Sequence, residues 1–214
     1  MSLQLYFAPG ACSFVPHVAL EAAQAEFEPK LVKLHRGEQR TPEYLALNPN
    51  GQVPVLVVDG RPLAQIVAIC DFLDRRFPEA RFLPRDPWER AQALSQLAWM
   101  NSTPHTTATR FFFPERYAGT DAARAEVKQR AAEEFRRHLE RLQQTVAGAA
   151  PYWFGERISF HDAYAFTLLR WGGFAGIDPR SLPVLHAYGE RVMQSPAVSA
   201  ALARERISLD TYKG

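Results

Sequence analysis

A lone cysteine, Cys12, stands where a short apolar run gives way to a helical pattern, in "YFAPGACSFVPHVALEAA", residues 6–23. A thiol in the first turn of a helix faces backbone N–H groups that lack intrahelical partners, and the positive end of the helix dipole. Both favour a thiolate over a thiol. Pro9 and Gly10, just before it, let the chain turn sharply and bring backbone close to a bound molecule. The position can therefore activate Cys12 itself or hold the thiolate of another molecule. The alternative is a small buried hydrophobe, a common fate of free cysteine.

A second stretch bears on that choice. In "NPNGQVPVL", residues 48–56, Asn50-Gly51 is a turn pair and Val53-Pro54 opens a strand. A cis bond before Pro54 would expose the Val53 N–H and C=O to a peptide-like ligand, which would bind as an added strand. A trans proline on an edge strand is the other reading. Tyr6, at the tip of the first strand, reads as a packed aromatic rather than an activating hydroxyl. His17 lies five residues past Cys12, off its helical face, and reads as structural.

Other chemistries lack their residues. The six histidines are scattered, without an H-E-x-x-H or Cys-x-x-Cys pattern, so no metal site is expected. No G-x-G-x-x-G, Walker A or G-x-S-x-G pattern occurs. A net charge of +2 gives no electrostatic case for nucleic acid or a membrane surface. No apolar run reaches spanning length and no secretory leader is expected at the start. Two cysteines make no disulfide framework, so a cytoplasmic setting with reduced thiols fits best. The sequon at Asn101 would be idle there.

The elements that must position Cys12 and Val53 divide the chain in two. Strands are expected over residues 3–8, 28–34, 53–58 and 61–63, with helices over 13–25 and 66–77. Asp59-Gly60 between the last two strands is a strong hairpin signal. The pattern β-α-β then β-β-α is a compact mixed-sheet unit. "FPEARFLPRDP" follows, and its spaced prolines mark a linker. Beyond it only helical patterns occur, the first opening at Asp86-Pro87. In "AARAEVKQRAAEEFRRHLERLQQTV", Phe135, Leu139, Leu142 and Val146 form one apolar stripe, with Glu126/Arg130 and Glu133/Arg137 at i,i+4 on the solvated face. Ser159 and Asp162 carry the S-x-x-D capping signature of a later helix.

With these residues in this order, the chain resembles a glutathione S-transferase, closest in pattern to the bacterial beta class. "APGACSFVPHVAL" resembles that class's strand-to-helix motif, "NPNGQVPVL" its cis-proline loop, "LAQIVAICDFL" its γ-glutamyl-binding turn and third helix, and "FHDAYAF" its capping motif. The resemblance covers nearly the whole chain. It implies an α+β half followed by an α half: a thioredoxin-like glutathione-binding domain over 1–79, a linker over 80–86, and an all-helical domain over 87–214 carrying the second-substrate pocket. It further implies a homodimer, glutathione as co-substrate, and a role in detoxification. His35, Gln52, Val53, Pro54, Gln65 and Ile66 would bind glutathione. Cys12 would lie beside its sulfur, with Ser13 a second hydroxyl donor there and His105 reaching in from the helical half. Phe111, Phe112 and Trp171 are the candidates for an apolar second-substrate pocket, with core packing the competing role.

One departure concerns the γ-glutamyl turn, where Gln65-Ile66 replaces the usual acidic or amide residue followed by serine. Ile66 lacks the hydroxyl that would meet the ligand's carboxylate and leaves only its backbone N–H at a helix start. Loss of one charge-assisted hydrogen bond costs about 1.5–3 kcal/mol, or roughly ten- to a hundredfold in affinity. Three functions stay open on these residues. One is conjugation of glutathione to apolar electrophiles. Another is glutathione-dependent thiol–disulfide or peroxide reduction through Cys12. The third is a non-catalytic binding module of the same fold.

Overall fold

The computed structural model of the protein describes residues 2–213. Its first half is built on a four-stranded sheet in the order β2-β1-β3-β4. β1 (Leu3–Phe7) alternates buried and half-buried residues, as a strand with two unequal faces must. α1 (Phe14–Ala22) crosses over to β2 (Glu28–Leu31), which lies parallel to β1. β3 (Val55–Val58) runs antiparallel to β1 and is buried on both faces. β4 (Arg61–Ala64) pairs back onto β3. Both hairpin residues, Asp59 (φ 47°) and Gly60 (φ 79°), take the positive φ that a tight primed turn requires. α3 (Ile66–Arg76) closes the unit.

A short helix, α2 (Pro42–Leu47), was not expected from the sequence. Thr41 caps it by accepting from the Tyr44 N–H, and Pro42 occupies its first turn. It covers the outer face of β3, where Val32, Tyr44, Val55 and Val57 form a small second core. β2 ends three residues earlier than expected, because the chain turns at Leu34–Arg36 into a 3-10 turn.

The second half is helical: α4 (Pro87–Ser102), α5 (Pro104–Phe112), α6 (Asp121–Val146), α7 (Phe160–Phe174), α8 (Pro183–Met193) and α9 (Pro196–Glu205). Pro104 splits α4 from α5, since its ring cannot continue a helix whose earlier turn it would clash with. The stripe on α6 is buried at Phe135, Leu139, Leu142 and Val146. Its outer face pairs Glu126 with Arg130, as expected, but Glu133 accepts from Gln129 and Arg136 pairs with Glu140. α7 opens with a complete Ser159–Asp162 capping box.

The stretch expected as a plain linker is packed. Phe82 and Leu83 are each 1% exposed. The Phe82 ring lies 4.7 Å from Phe160 of α7, and the Leu83 N–H donates to Asp74 of α3. Asp74 also binds Arg90 of α4 at 2.5 Å. One continuous core joins the halves, from Leu5, Phe14 and Leu73 to Leu97, Phe160 and Phe166.

Candidate functional site at the end of the sheet

Strand register gathers the candidate residues. Val55 lies opposite Tyr6 on one side and Ala64 on the other. Continued by one residue, that antiparallel register sets Pro54 beside Gln65. The end of β1 that leads to Cys12, the start of β3 that follows Val53-Pro54, and the end of β4 that leads to Gln65 therefore meet at one end of the sheet. The Val53-Pro54 bond is cis. The Cys12 Sγ lies 3.5 Å from the Val53 carbonyl oxygen, to which it donates.

Burial decides the state of Cys12. The thiol is pushed up to about 12 by burial, against the pull of the Cys12 and Ser13 backbone N–H groups, with Glu205 adding to the rise. The helix-start field that the sequence promises is present, but desolvation outweighs it for this sulfur. Cys12 is therefore a protonated donor at neutral pH, not a thiolate.

Ser13 departs from its expected role. Its hydroxyl accepts from the Ala8 N–H at 3.1 Å and donates to the Ala8 carbonyl at 3.2 Å, and the residue is 0% exposed. It clasps the turn between β1 and α1 and is not offered to a ligand.

The remaining first-half candidates line the same end. The Gln52 carbonyl accepts from the Tyr44 hydroxyl and the Asn48 amide, both at 2.8 Å, which fixes the turn before Val53. Gln65 is exposed and held at φ 73°, ψ 119°. A side-chain-bearing residue rarely adopts that region, and such strain collects at binding turns. The Ile66 side chain is buried, so only its backbone at the start of α3 remains available. His35 is exposed in the 3-10 turn after β2. Tyr6 packs edge-on against Tyr44, as its strand position implied.

The helical half contributes an aromatic wall. His105 sits in the first turn of α5, with its Nδ1 2.6 Å from the Tyr164 hydroxyl. That hydroxyl donates to Asn101 Oδ1 at 3.2 Å, which links His105, Tyr164 and Asn101 in one chain of contacts. Burial lowers the His105 pKa to about 4, so the ring is neutral at physiological pH. The Trp171 ring lies 4.9 Å from His105 and 5.6 Å from Phe112, and Phe174 extends the wall beyond Phe112 at 5.8 Å. Trp171 also donates to the Gly10 carbonyl at 2.9 Å, which ties this wall to the loop before Cys12. Phe111 does not belong to it. It is 8% exposed and packs edge-on against Phe135 of α6, in the core. Sequence reasoning missed Tyr164 and Asn101, because nothing local marks partners 59 and 63 residues apart.

A mixed sheet with a sulfur-facing helix start, docked through one core onto a helical bundle that supplies an apolar wall, defines a thioredoxin-like transferase fold. Comparison with known proteins agrees. The families described as "Glutathione S-transferase, N-terminal domain" and "Glutathione S-transferase, C-terminal domain" match residues 1–75 and 100–196. The chain is 33% identical to glutathione S-transferase GST-4.5 of Xanthomonas campestris, over 96% of this chain and 100% of that one. Among solved structures, a sphingomonad glutathione S-transferase in complex with glutathione superposes with a TM-score of 0.82 at 34% identity, covering 96% of this chain and 100% of that one. The beta-class enzyme of Sphingomonas chungbukensis also superposes with a TM-score of 0.82, at 33% identity, covering 94% and 98%. The chain belongs to the glutathione S-transferase family, a family of transferase enzymes.

Proposed function

We propose that this protein conjugates the thiolate of glutathione to small apolar electrophiles. The observation that carries the reading is the convergence of cis Val53-Pro54, the α1 start and the Gln65 turn at one sheet end, with Cys12 Sγ 3.5 Å from the Val53 carbonyl. Glutathione would lie across that end. Its cysteinyl backbone would pair with Val53, and its γ-glutamyl group would reach Gln65 and the Ile66 N–H. His35 and Gln52 would flank the other end of the tripeptide.

The ligand's sulfur would then face the start of α1. The Cys12 and Ser13 N–H groups already pull on a sulfur held there, and the same groups would favour a ligand thiolate. The thiol proton leaves to solvent, since an imidazole that burial holds near pKa 4 is too weak a base to take it. The thiolate attacks the electrophilic carbon, a C–S bond forms, and the leaving group, such as chloride, departs with the bonding pair. Phe112, Trp171 and Phe174 would hold the apolar part of the electrophile. The exposed ring of Phe174 beside half-buried Phe112 favours flat, aromatic partners.

A protonated, buried Cys12 speaks for conjugation over disulfide exchange, which needs an accessible protein thiolate or disulfide. The test pairs calorimetric titration of glutathione with conjugation to a chlorinated nitroaromatic, for the unaltered protein and Cys12→Ala. The expected outcome is that Cys12→Ala keeps most of the conjugation and loses any mixed-disulfide reduction. Conjugation abolished by Cys12→Ala would overturn the assignment of the nucleophile to glutathione. Glutathione binding without any turnover would instead support a binding module. A homodimer in the cytoplasm is part of the same proposal, and light scattering checks the pairing.

A further inference from the structure

We propose that Glu205, on the last helix, is the positioning residue for the sulfur site. It would hold the Gly10 peptide, and with it the Cys12 and Ser13 N–H groups, in register with the bound thiol. The proposal rests on the transferase reading for its kinetic consequence. Its structural half stands without that reading.

Gly10 takes φ +70°, and a Cβ there would come 2.6 Å from the Arg170 Nη1. The helical half grips its peptide from both sides. The Gly10 N–H donates to Glu205 Oε2 at 2.8 Å, and the Gly10 carbonyl accepts from Trp171 at 2.9 Å. The other oxygen of Glu205, Oε1, lies 2.7 Å from Nδ1 of His17, on α1. Both partners are closed off from water: the side chains of His17 and Glu205 are each 0% exposed. One carboxylate thus holds the loop that enters Cys12 and the helix that leaves it. It reaches across 195 residues to one and 188 to the other.

Further charged groups lie around the His17–Glu205 pair, whose imidazole also packs against Phe7 and Phe27. His17 Nε2 faces Glu21 at 3.8 Å, and Glu21 is bound by Arg204 at 2.6 Å. Arg170 lies near enough to feel the Glu205 charge. Burying a carboxylate is expensive unless its lone pairs are met. A backbone carbonyl would satisfy a lone Gly10 N–H more cheaply. A carboxylate is needed where two donors on separate elements must be held at one point. Within the turn the restraints are Ala11 N–H to Ala8, Phe14 N–H to Ala11, Val15 N–H to Cys12 and the Ser13 hydroxyl on Ala8, with Cys12 Sγ on the Val53 carbonyl of the same half. Those bonds fix its shape, whereas Glu205 and Trp171 fix where it sits against the half that carries the aromatic wall. Displacing reacting groups by about 1 Å costs on the order of a hundredfold in rate, so this anchoring bears on turnover.

The chemistry also supplies a rescue. In Glu205→Gln, the amide oxygen can accept from Gly10 while the amide nitrogen donates to His17 Nδ1, provided the imidazole proton moves to Nε2. Glu205→Ala can do neither. The experiment compares Glu205→Ala and Glu205→Gln with the unaltered protein by amide hydrogen exchange and by steady-state kinetics. We expect Glu205→Ala to speed exchange in the peptide spanning residues 8–13 by at least about tenfold while amides in the middle of α6 keep their protection. We expect its kcat to fall about ten- to a hundredfold with the KM for the electrophile little changed. Glu205→Gln should recover the protection and most of kcat. Unchanged exchange over residues 8–13 in Glu205→Ala overturns the anchoring. A kcat equal to the unaltered protein's, or lost equally in both variants, overturns the positioning role. Absence of conjugation in the unaltered protein would sink the transferase reading, and exchange alone would then decide the anchoring.

Discussion

Ser13 spends its hydroxyl on both polar groups of the Ala8 peptide, and that use fixes what its removal does. Ser13→Ala leaves the buried Ala8 N–H without its partner, while the Ala8 carbonyl keeps the Ala11 N–H; an unmet buried donor costs about 1–3 kcal/mol. The expected result is a lower thermal midpoint, with glutathione affinity by calorimetry within about twofold of the unaltered protein. A much weaker affinity at unchanged stability would return the hydroxyl to the ligand. Gln65 makes the opposite case. It is exposed and stands at φ 73°, so its side chain carries little of the fold. Gln65→Ala should weaken glutathione binding by about tenfold, as loss of a hydrogen bond to a charged group does, with the thermal midpoint nearly unmoved. Both residues show what sequence could and could not give. The residue types and spacing around Cys12, Val53 and Gln65 pointed to one end of the sheet. The rotamer that turns Ser13 inward is set by the shape of the turn, which no local pattern encodes.

At the scale of elements, α5 separates two neighbouring phenylalanines by one helical step of about 100°. That step sends Phe111 against Phe135 in the core and leaves Phe112 half-buried beside Trp171 and Phe174. Phe111→Ala should therefore destabilise by about 3–5 kcal/mol, read by chemical denaturation. Phe112→Ala should leave stability within about 1.5 kcal/mol while raising the KM for an aromatic electrophile several-fold. Equal stability losses in the two variants would erase the distinction between core and wall. The sequence named both residues, but the phase of a nine-residue helix broken off at Pro104 could not be read from its own pattern. Longer or capped elements were legible. The α6 stripe and the α7 capping box stand where periodicity and the Ser159-to-Asp162 spacing put them. α2 was missed, although Thr41-Pro42 carries a start signal, because six residues hold too little periodicity to register.

For the molecule as a whole, the halves are joined by one core and by polar contacts that sequence separation hides, such as Glu205 to His17 and Trp171 to Gly10. A joint of this kind makes the fold respond to acid as a unit, and His161 is the group that shows it. It lies wholly buried on α7, donating from Nε2 to the Ala93 carbonyl of α4 at 2.8 Å, between the rings of Trp153 and Phe154. Burial lowers its pKa from 6.5 to about 4. The folded state therefore holds fewer protons than the unfolded chain between those values. The stability it contributes is complete above about pH 6.5 and is lost as pH falls towards 4. A shift of that size corresponds to about 3 kcal/mol. His105, lowered to about 4 by burial, acts with the same sign. Asp162, raised by burial, acts with the opposite sign at and above the ordinary carboxylate range. The decisive comparison is the pH dependence of stability in the unaltered protein and in His161→Gln, which keeps a donor for the Ala93 carbonyl but cannot take a proton. The variant loses ring packing and should be less stable at every pH. Its stability should nonetheless fall less steeply between pH 6.5 and 4, by about one proton's worth of slope. Parallel curves over that window would show that His161 does not couple folding to acid.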